Sequence, residues 1–164
     1  MHVLLVDDNQ GDARLLREIL SEINKTVHLH VVTDGLQALE FLRYQGPYLD
    51  APRPQLILLD LQMPNLGGLE VLAQVKSDPH LRSIPIVVLT TSTSENDIVQ
   101  SYRLMANCFL TKPQDFTEFE KLVKSINDFW LTRVTFRSAP KSLKSPRSVG
   151  ADQVMPAVIK SAAK

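Results

Sequence analysis

Five side chains able to hold a cation, donate a hydrogen bond or attack an electrophile stand at the ends of four short apolar runs. Val3-Leu4-Leu5-Val6 leads into Asp7-Asp8, and Leu56-Ile57-Leu58-Leu59 into Asp60. Ile86-Val87-Val88-Leu89 leads into Thr90, and Cys108-Phe109-Leu110-Thr111 into Lys112-Pro113. Three carboxylates gathered in one place repel one another and hold protons more tightly unless a cation sits among them. Mg²⁺ suits such a set, because it takes a few hard oxygen ligands and keeps waters that a phosphate can replace. A soft-metal site is excluded, since the lone Cys108 is not grouped with histidine. Lys112 supplies a compact ammonium for a phosphate oxygen or for the carboxylate that receives it, and the Thr90 hydroxyl supplies a donor. That leaves Asp60 as nucleophile, and a carboxylate that attacks phosphorus forms an aspartyl phosphate. Cation, lysine and hydroxyl would then share the charge of the equatorial oxygens.

Read one at a time, these residues are ordinary. Asp7-Asp8 is a reasonable cap for a helix starting near Gly11, Thr90 a turn residue, Lys112-Pro113 a loop. What joins them is their common placement. In an open parallel sheet the C-terminal ends of the strands converge on one edge, where ligands bind.

The elements that must do the positioning are legible as periodicities. The four runs are unbroken, as in strands buried on both faces. A fifth, Thr26 to Val32, alternates Val27, Leu29 and Val31 with His28, His30 and Val32, which suits an edge strand. Helical spacing recurs in Leu15, Leu16, Ile19, Leu20 and Ile23, in Leu36, Leu39 and Leu42, and in Leu69, Val71, Leu72 and Val75 after Gly67-Gly68. A shorter helix is expected over Asn96 to Leu104, and a long one through Phe116, Phe119, Leu122, Val123, Ile126 and Phe129. Five β-α repeats imply an α/β fold, a doubly wound parallel sheet with right-handed crossovers and helices on both faces. Gly46 to Pro54, with three prolines, is expected to be a surface loop.

Composition narrows the classes further. The 164 residues are 44% hydrophobic, enough for one domain with a real core. A formal charge of zero hides an asymmetry. Residues 1–136 carry 12 Lys/Arg against 17 Asp/Glu, and residues 137–164 carry 6 against 1. The acidic body argues against a nucleic-acid surface. We therefore expect a body over 1–136 with a short C-terminal extension, and a disordered basic Ser/Pro/Lys/Ala-rich tail over 137–164. One cysteine permits no intrachain disulfide, no signal-peptide pattern opens the chain, and no apolar stretch approaches the ~18–20 residues that cross a bilayer. A cytoplasmic protein without membrane contact is the expectation.

Residues 1 to about 131 resemble the receiver domain of bacterial two-component response regulators, on Asp7-Asp8, Asp60 with Met63-Pro64, Thr90, and Lys112-Pro113. The resemblance implies a CheY-like, flavodoxin-like (βα)5 fold with five strands in the order 2-1-3-4-5. It implies Asp60 as phosphoacceptor, with Mg²⁺ on Asp8, Asp60 and the backbone carbonyl of Gln62, and Asp7 acting through water. It makes Thr90 and Lys112 the phosphoryl-binding pair, Phe109 the aromatic switch that fills space vacated by Thr90, and the Lys112-Pro113 peptide cis. Such a protein is a phosphoacceptor with self-catalysed transfer and dephosphorylation rather than a metabolic enzyme. Gly67, Phe109 and Thr91 differ from the commonest residues of the family at their positions. Gly46-Pro47-Tyr48, Pro52-Arg53-Pro54, Ala106-Asn107-Cys108 and Asp128-Phe129-Trp130-Leu131 look like stand-alone receivers serving phytochrome-type histidine kinases. On that likeness the phosphodonor is the phosphohistidine of a light-sensing kinase.

About 28 tail residues are too few for a DNA-binding domain, so output is expected through protein contact. Trp130, Leu131, Val134 and Phe136 are apolar residues past the last helical pattern, expected to form a homodimer seam, with folding back onto the core as the bland alternative. Two rivals from other classes remain. A haloacid-dehalogenase-type phosphohydrolase also uses Asp, Mg²⁺, Thr and Lys, but wants an acid two residues after the nucleophile. Here Gln62 follows Asp60 and Asn9 follows Asp7 at that spacing. An interaction module with vestigial carboxylates would bind no Mg²⁺. Among smaller signals, His28 and His30 could be a metal pair on one strand face, but a solvent-facing edge strand is the expected reading; Cys108 is expected in the core, and Asp12 as a helix cap or part of a kinase-docking surface.

Overall fold

A computed structural model describes residues 1–136, and the basic tail expected over 137–164 lies outside the described residues. The elements alternate as expected. Strand β1 (His2–Val6) leads to helix α1 (Gln10–Ile23), β2 (His28–Val32) to α2 (Gly35–Leu42), and β3 (Leu56–Leu59) to α3 (Gly68–Ser77). β4 (Ile86–Thr90) leads to α4 (Glu95–Arg103), and β5 (Cys108–Thr111) to α5 (Phe116–Ile126), whose axis continues through a π turn at Asn127–Leu131. Every strand pairing is parallel, and the sheet order is β2-β1-β3-β4-β5. No helix among the described residues is long and apolar enough to cross a membrane.

The unbroken apolar runs have a direct cause. Successive side chains of a strand point to opposite faces, and here both faces are covered. Leu4, Val6, Ile57, Leu59, Ile86 and Val88 pack with α2 and α3. Val3, Leu5, Leu56, Leu58, Val87 and Leu89 pack with α1 and α5. All four residues of β3 are fully buried, which fixes the central strand that ends in Asp60.

The helix starts bear on the site. Asn9, not Asp7 or Asp8, caps α1: its Oδ1 accepts from the N–H groups of Gly11 and Asp12 at 3.0 and 3.1 Å. Both preceding acids are thereby left for other work. Asp34, Ser94 and Asp115 cap α2, α4 and α5 in the same way. Gly68 opens α3, and a Cβ there would collide with the Asp60 carbonyl oxygen and Leu61 Cα. A glycine lets the first turn of α3 lie directly on the backbone that carries Asp60.

Two expectations change on the edge of the sheet. β2 is an edge strand as its alternation predicts, but it starts at His28, because Thr26 is held in a turn by Asn24. The histidine face is also not wholly solvated. His28 is exposed, whereas His30 is half-buried between His2 and Phe41. At the other end of the chain, Trp130, Leu131 and Phe136 fold back, half-buried, onto the cluster between the sheet and the α1–α5 pair. Val134 is half-buried beside them, and Phe129 stays exposed with its ring edge-on to Trp130. Asn127 ties this end to α1 through the Asn24 amide at 2.9 Å.

Candidate functional site

The hydrogen-bond ladder runs one step past each strand, so the charged residues sit at rigid ends rather than in loops. The Asp7 N–H donates to Val32 O at 3.0 Å, the Asp60 N–H to Val6 O at 2.9 Å, and the Lys112 N–H to Thr90 O at 2.7 Å. Asp7 and Asp60 thus come from neighbouring strands, and carboxylate oxygens of Asp7, Asp8 and Asp60 all lie within 4.8 Å of one another. Asp7 and Asp60 are buried, at 2% and 5% exposed, and Asp8 opens to solvent. Lys112 lies among them, 4% exposed.

The Lys112 ammonium spends its three N–H donors on three carboxylates. It reaches Asp7 Oδ2 at 2.7 Å, Asp60 Oδ2 at 2.8 Å and Asp12 Oδ2 at 3.1 Å. The remaining oxygens of the two buried acids take backbone donors, Asn9 N–H on Asp7 Oδ1 at 2.9 Å and Gln62 N–H on Asp60 Oδ1 at 3.1 Å. Burial works against the charge on Lys112, but its hydrogen bonds to Asp60 and Asp7 outweigh that and raise its pKa well above the ordinary lysine value. Burial pushes the Asp7 carboxyl up, and Asp60 adds to this, while Lys112 and the Asn9 N–H recover only part. Four carboxylates against one ammonium leave the pocket short of positive charge. Hard oxygen donors around that deficit fit a divalent cation of the Mg²⁺ or Mn²⁺ class.

Thr90 is fully buried at the end of β4, its hydroxyl oxygen accepting from the Ser92 N–H at 3.3 Å. Phe109, next to Leu110 on β5, packs half-buried against the α2–α3 cluster. At the mouth of the pocket the Thr91 hydroxyl donates to the Gln62 side-chain oxygen at 3.3 Å. The structure therefore brings together Asp7, Asp8, Asp60 and Lys112, with Thr90 on the adjoining strand end. Trp130, Leu131, Val134 and Phe136 belong to a separate region beside the C-terminal end of α1.

One expectation is corrected. The Lys112-Pro113 peptide is not cis, for no peptide bond among the described residues is. X-Pro bonds favour trans by about 0.5–1 kcal/mol, and the trans chain already seats the Lys112 N–H on Thr90 and its ammonium on three acids. Asp12 was the residue whose part sequence reasoning missed. With Asn9 as cap, Asp12 falls in the first turn of α1 and reaches back to Lys112.

Residues 3–124 match the response regulator receiver domain family. The chain belongs to that family. Among curated relatives of this receiver, response regulator Rcp1 of Synechocystis sp. PCC 6803 is 47% identical over 137 residues, covering 84% of this chain and 93% of Rcp1. A crystal structure of Rcp1 in its Mn²⁺-bound form superposes with a TM-score of 0.81 at 46% identity, over 84% of this receiver and 99% of that chain. The phosphorylated cyanobacterial phytochrome response regulator RcpA gives a TM-score of 0.81 at 45% identity, over 84% and 98%.

Proposed function

We propose that this receiver is a phosphorylatable switch in a two-component phosphorelay, with Asp60 as the phosphoacceptor. The observation that carries the reading is Asp60 itself, buried at a strand end, 2.8 Å from Lys112 and clustered with Asp7 and Asp8. A carboxylate oxygen of Asp60 attacks phosphorus, and the phosphorus–nitrogen bond of a phosphohistidine donor breaks with its electron pair leaving on the imidazole. Lys112 holds an Asp60 oxygen before transfer and is placed to follow the charge onto the phosphoryl oxygens. Thr90 contributes its hydroxyl from the next strand.

Asp8, Asp60 and the Gln62 backbone carbonyl would hold Mg²⁺, with Asp7 in the outer shell. The ion, when bound, supplies positive charge where the transferring oxygens gather it. Gln62 gives Asp60 a backbone N–H and offers no acid, so the general-acid step of a dehalogenase-type hydrolase has no residue to perform it. Hydrolysis of the adduct is accordingly self-dephosphorylation rather than the turnover of a hydrolase.

The likeness to Rcp1 and to the phytochrome response regulator RcpA supports a phytochrome-type sensor kinase in the cytoplasm as donor. Output passes through protein contacts of the 1–136 body, with Phe109 and Thr90 moving together as the switch. The half-exposed Trp130, Leu131, Val134 and Phe136, with exposed Phe129, form the seam of a homodimer. Incubation with Mg²⁺ and acetyl phosphate, followed by intact mass, tests the core claim. One phosphoryl adduct should form and decay, and none in Asp60→Asn. An adduct of equal yield in that variant sinks the assignment.

A further inference from the structure

Three of the four histidines in the chain meet at the start of the sheet, the end remote from the acidic pocket. His2 and His28 are paired in register across β1 and β2, and their rings stack with centroids 5.1 Å apart and planes inclined by 28°. His30, two residues along β2 and therefore on the same face, approaches His2 so that His2 Nδ1 and His30 Nε2 are 3.1 Å apart. Two nitrogen ligands, each about 2.0–2.1 Å from a metal and subtending between a right angle and a tetrahedral angle, are roughly 2.9–3.4 Å apart. The imidazole pair already has that spacing, held by a hydrogen bond between the rings whose proton a bound metal would displace to the donor ring's other nitrogen.

We infer that His2 and His30, with His28 beside them, form a binding site for a transition-metal ion of the Zn²⁺, Ni²⁺ or Cu²⁺ class. Both residues are anchored by their surroundings. The His2 backbone N–H is fixed by the Gln55 side-chain oxygen at 2.6 Å, and His30 packs on Phe41, which in turn packs on Tyr48. Supported ligands of this kind lose less freedom on binding metal. His30 also lines an open groove of about 630 Å³ with Phe41, Tyr48 and Asp50, which leaves room for solvent ligands.

The donor atoms select the metal. A neutral imidazole carries its proton on one ring nitrogen and keeps the other free for a ligand bond. The hard ions Mg²⁺ and Ca²⁺ take oxygen ligands, which the histidine cluster does not supply, so they should not bind here. Ions that bond imidazole strongly should.

The experiment titrates ZnCl₂ into the full chain with Mg²⁺ in excess to fill the acidic pocket. Calorimetry gives affinity, and histidine ring signals by NMR give location. Zn²⁺ should perturb His2, His28 and His30 and leave His80 unchanged, and Mg²⁺ alone should perturb none of the four. His2→Gln and His30→Gln should each weaken Zn²⁺ binding by about tenfold or more, with Mg²⁺ affinity and phosphoryl uptake kept at parental values as proof of folding. His80→Gln should bind as the parent does. Unperturbed His2 and His30 signals, or parental Zn²⁺ affinity in the His2→Gln/His30→Gln double variant, would overturn the inference.

Discussion

Replacing Lys112 with Met removes one charge and little volume from the centre of the acidic pocket. Asp7 and Asp60, both at most 5% exposed, lose hydrogen bonds of 2.7 and 2.8 Å to the buried ammonium and are left as adjacent anions. Removing one partner of a buried ion pair costs about 3–5 kcal/mol, because the other charge is left uncompensated. A domain of this size has roughly 5–15 kcal/mol of total stability. At roughly 3–4 °C per kcal/mol, the metal-free variant should melt about 10–20 °C below the parent. Protonation of Asp7, whose carboxyl is already pushed up by burial, limits the damage, so the loss should be smaller at pH 6 than at pH 8. Mg²⁺ replaces the missing positive charge. The rise in Tm on adding Mg²⁺ should therefore be larger in the variant than in the parent. Thermal melts of both proteins in EDTA and in Mg²⁺, at the two pH values, decide the matter. If Lys112→Met in EDTA at pH 8 melts within about 2 °C of the parent, less than 1 kcal/mol is involved and the electrostatic account is wrong.

Gly68→Ala should destabilise the protein by about 1–3 kcal/mol and lower Mg²⁺ affinity, since its Cβ would push the Asp60 carbonyl. Urea midpoints and Mg²⁺ titration check this, and a parental midpoint would refute the close packing. Asp12→Asn removes one competitor for Lys112 and one negative charge near the pocket mouth, so labelling by dianionic acetyl phosphate should speed up a few-fold, with less salt dependence. An unchanged rate would confine Asp12 to helix α1. Because the folded-state pKa of Lys112 is raised, its stabilisation is complete below the ordinary lysine value of 10.5 and is lost as pH climbs past it. Tyr48, also raised by burial, acts in the same direction. Urea midpoints of the metal-free parent should fall steeply between about pH 10 and 12, and Lys112→Met should show a shallower fall.

The parts of the molecule that could be read from residues alone are those governed by local pattern. Unbroken runs such as Leu56–Leu59 announce strands covered on both faces, and the acids that come after them announce a shared edge. Partnerships across long separations were harder. Asp12 looked like a cap or part of a docking surface because its bond to Lys112 spans 100 residues, and nothing near it in sequence records that neighbour. His30 looked solvated because alternation reports a face but not what packs on it, here His2 and Phe41. The trans Lys112-Pro113 bond escaped because a proline motif carries either isomer and the surrounding hydrogen bonds choose. The end of the chain is legible as apolar, but the choice between a seam and folding back is not, because the turn that lays Trp130 and Leu131 on the α1–α5 side has no periodic signature.

The lysine that balances the pocket is also the last of its members to be synthesised. It comes 105 residues after Asp7 and 52 after Asp60, so a nascent chain halted before residue 112 holds two strand ends with their negative groups opposed and no lysine between them. Docking of β1 beside β3 must then wait for β5, or borrow a cation from solution. Refolding should accordingly quicken with millimolar divalent salt more than with the same ionic strength of NaCl. The order of assembly is written into where along the polypeptide this buried ammonium was placed.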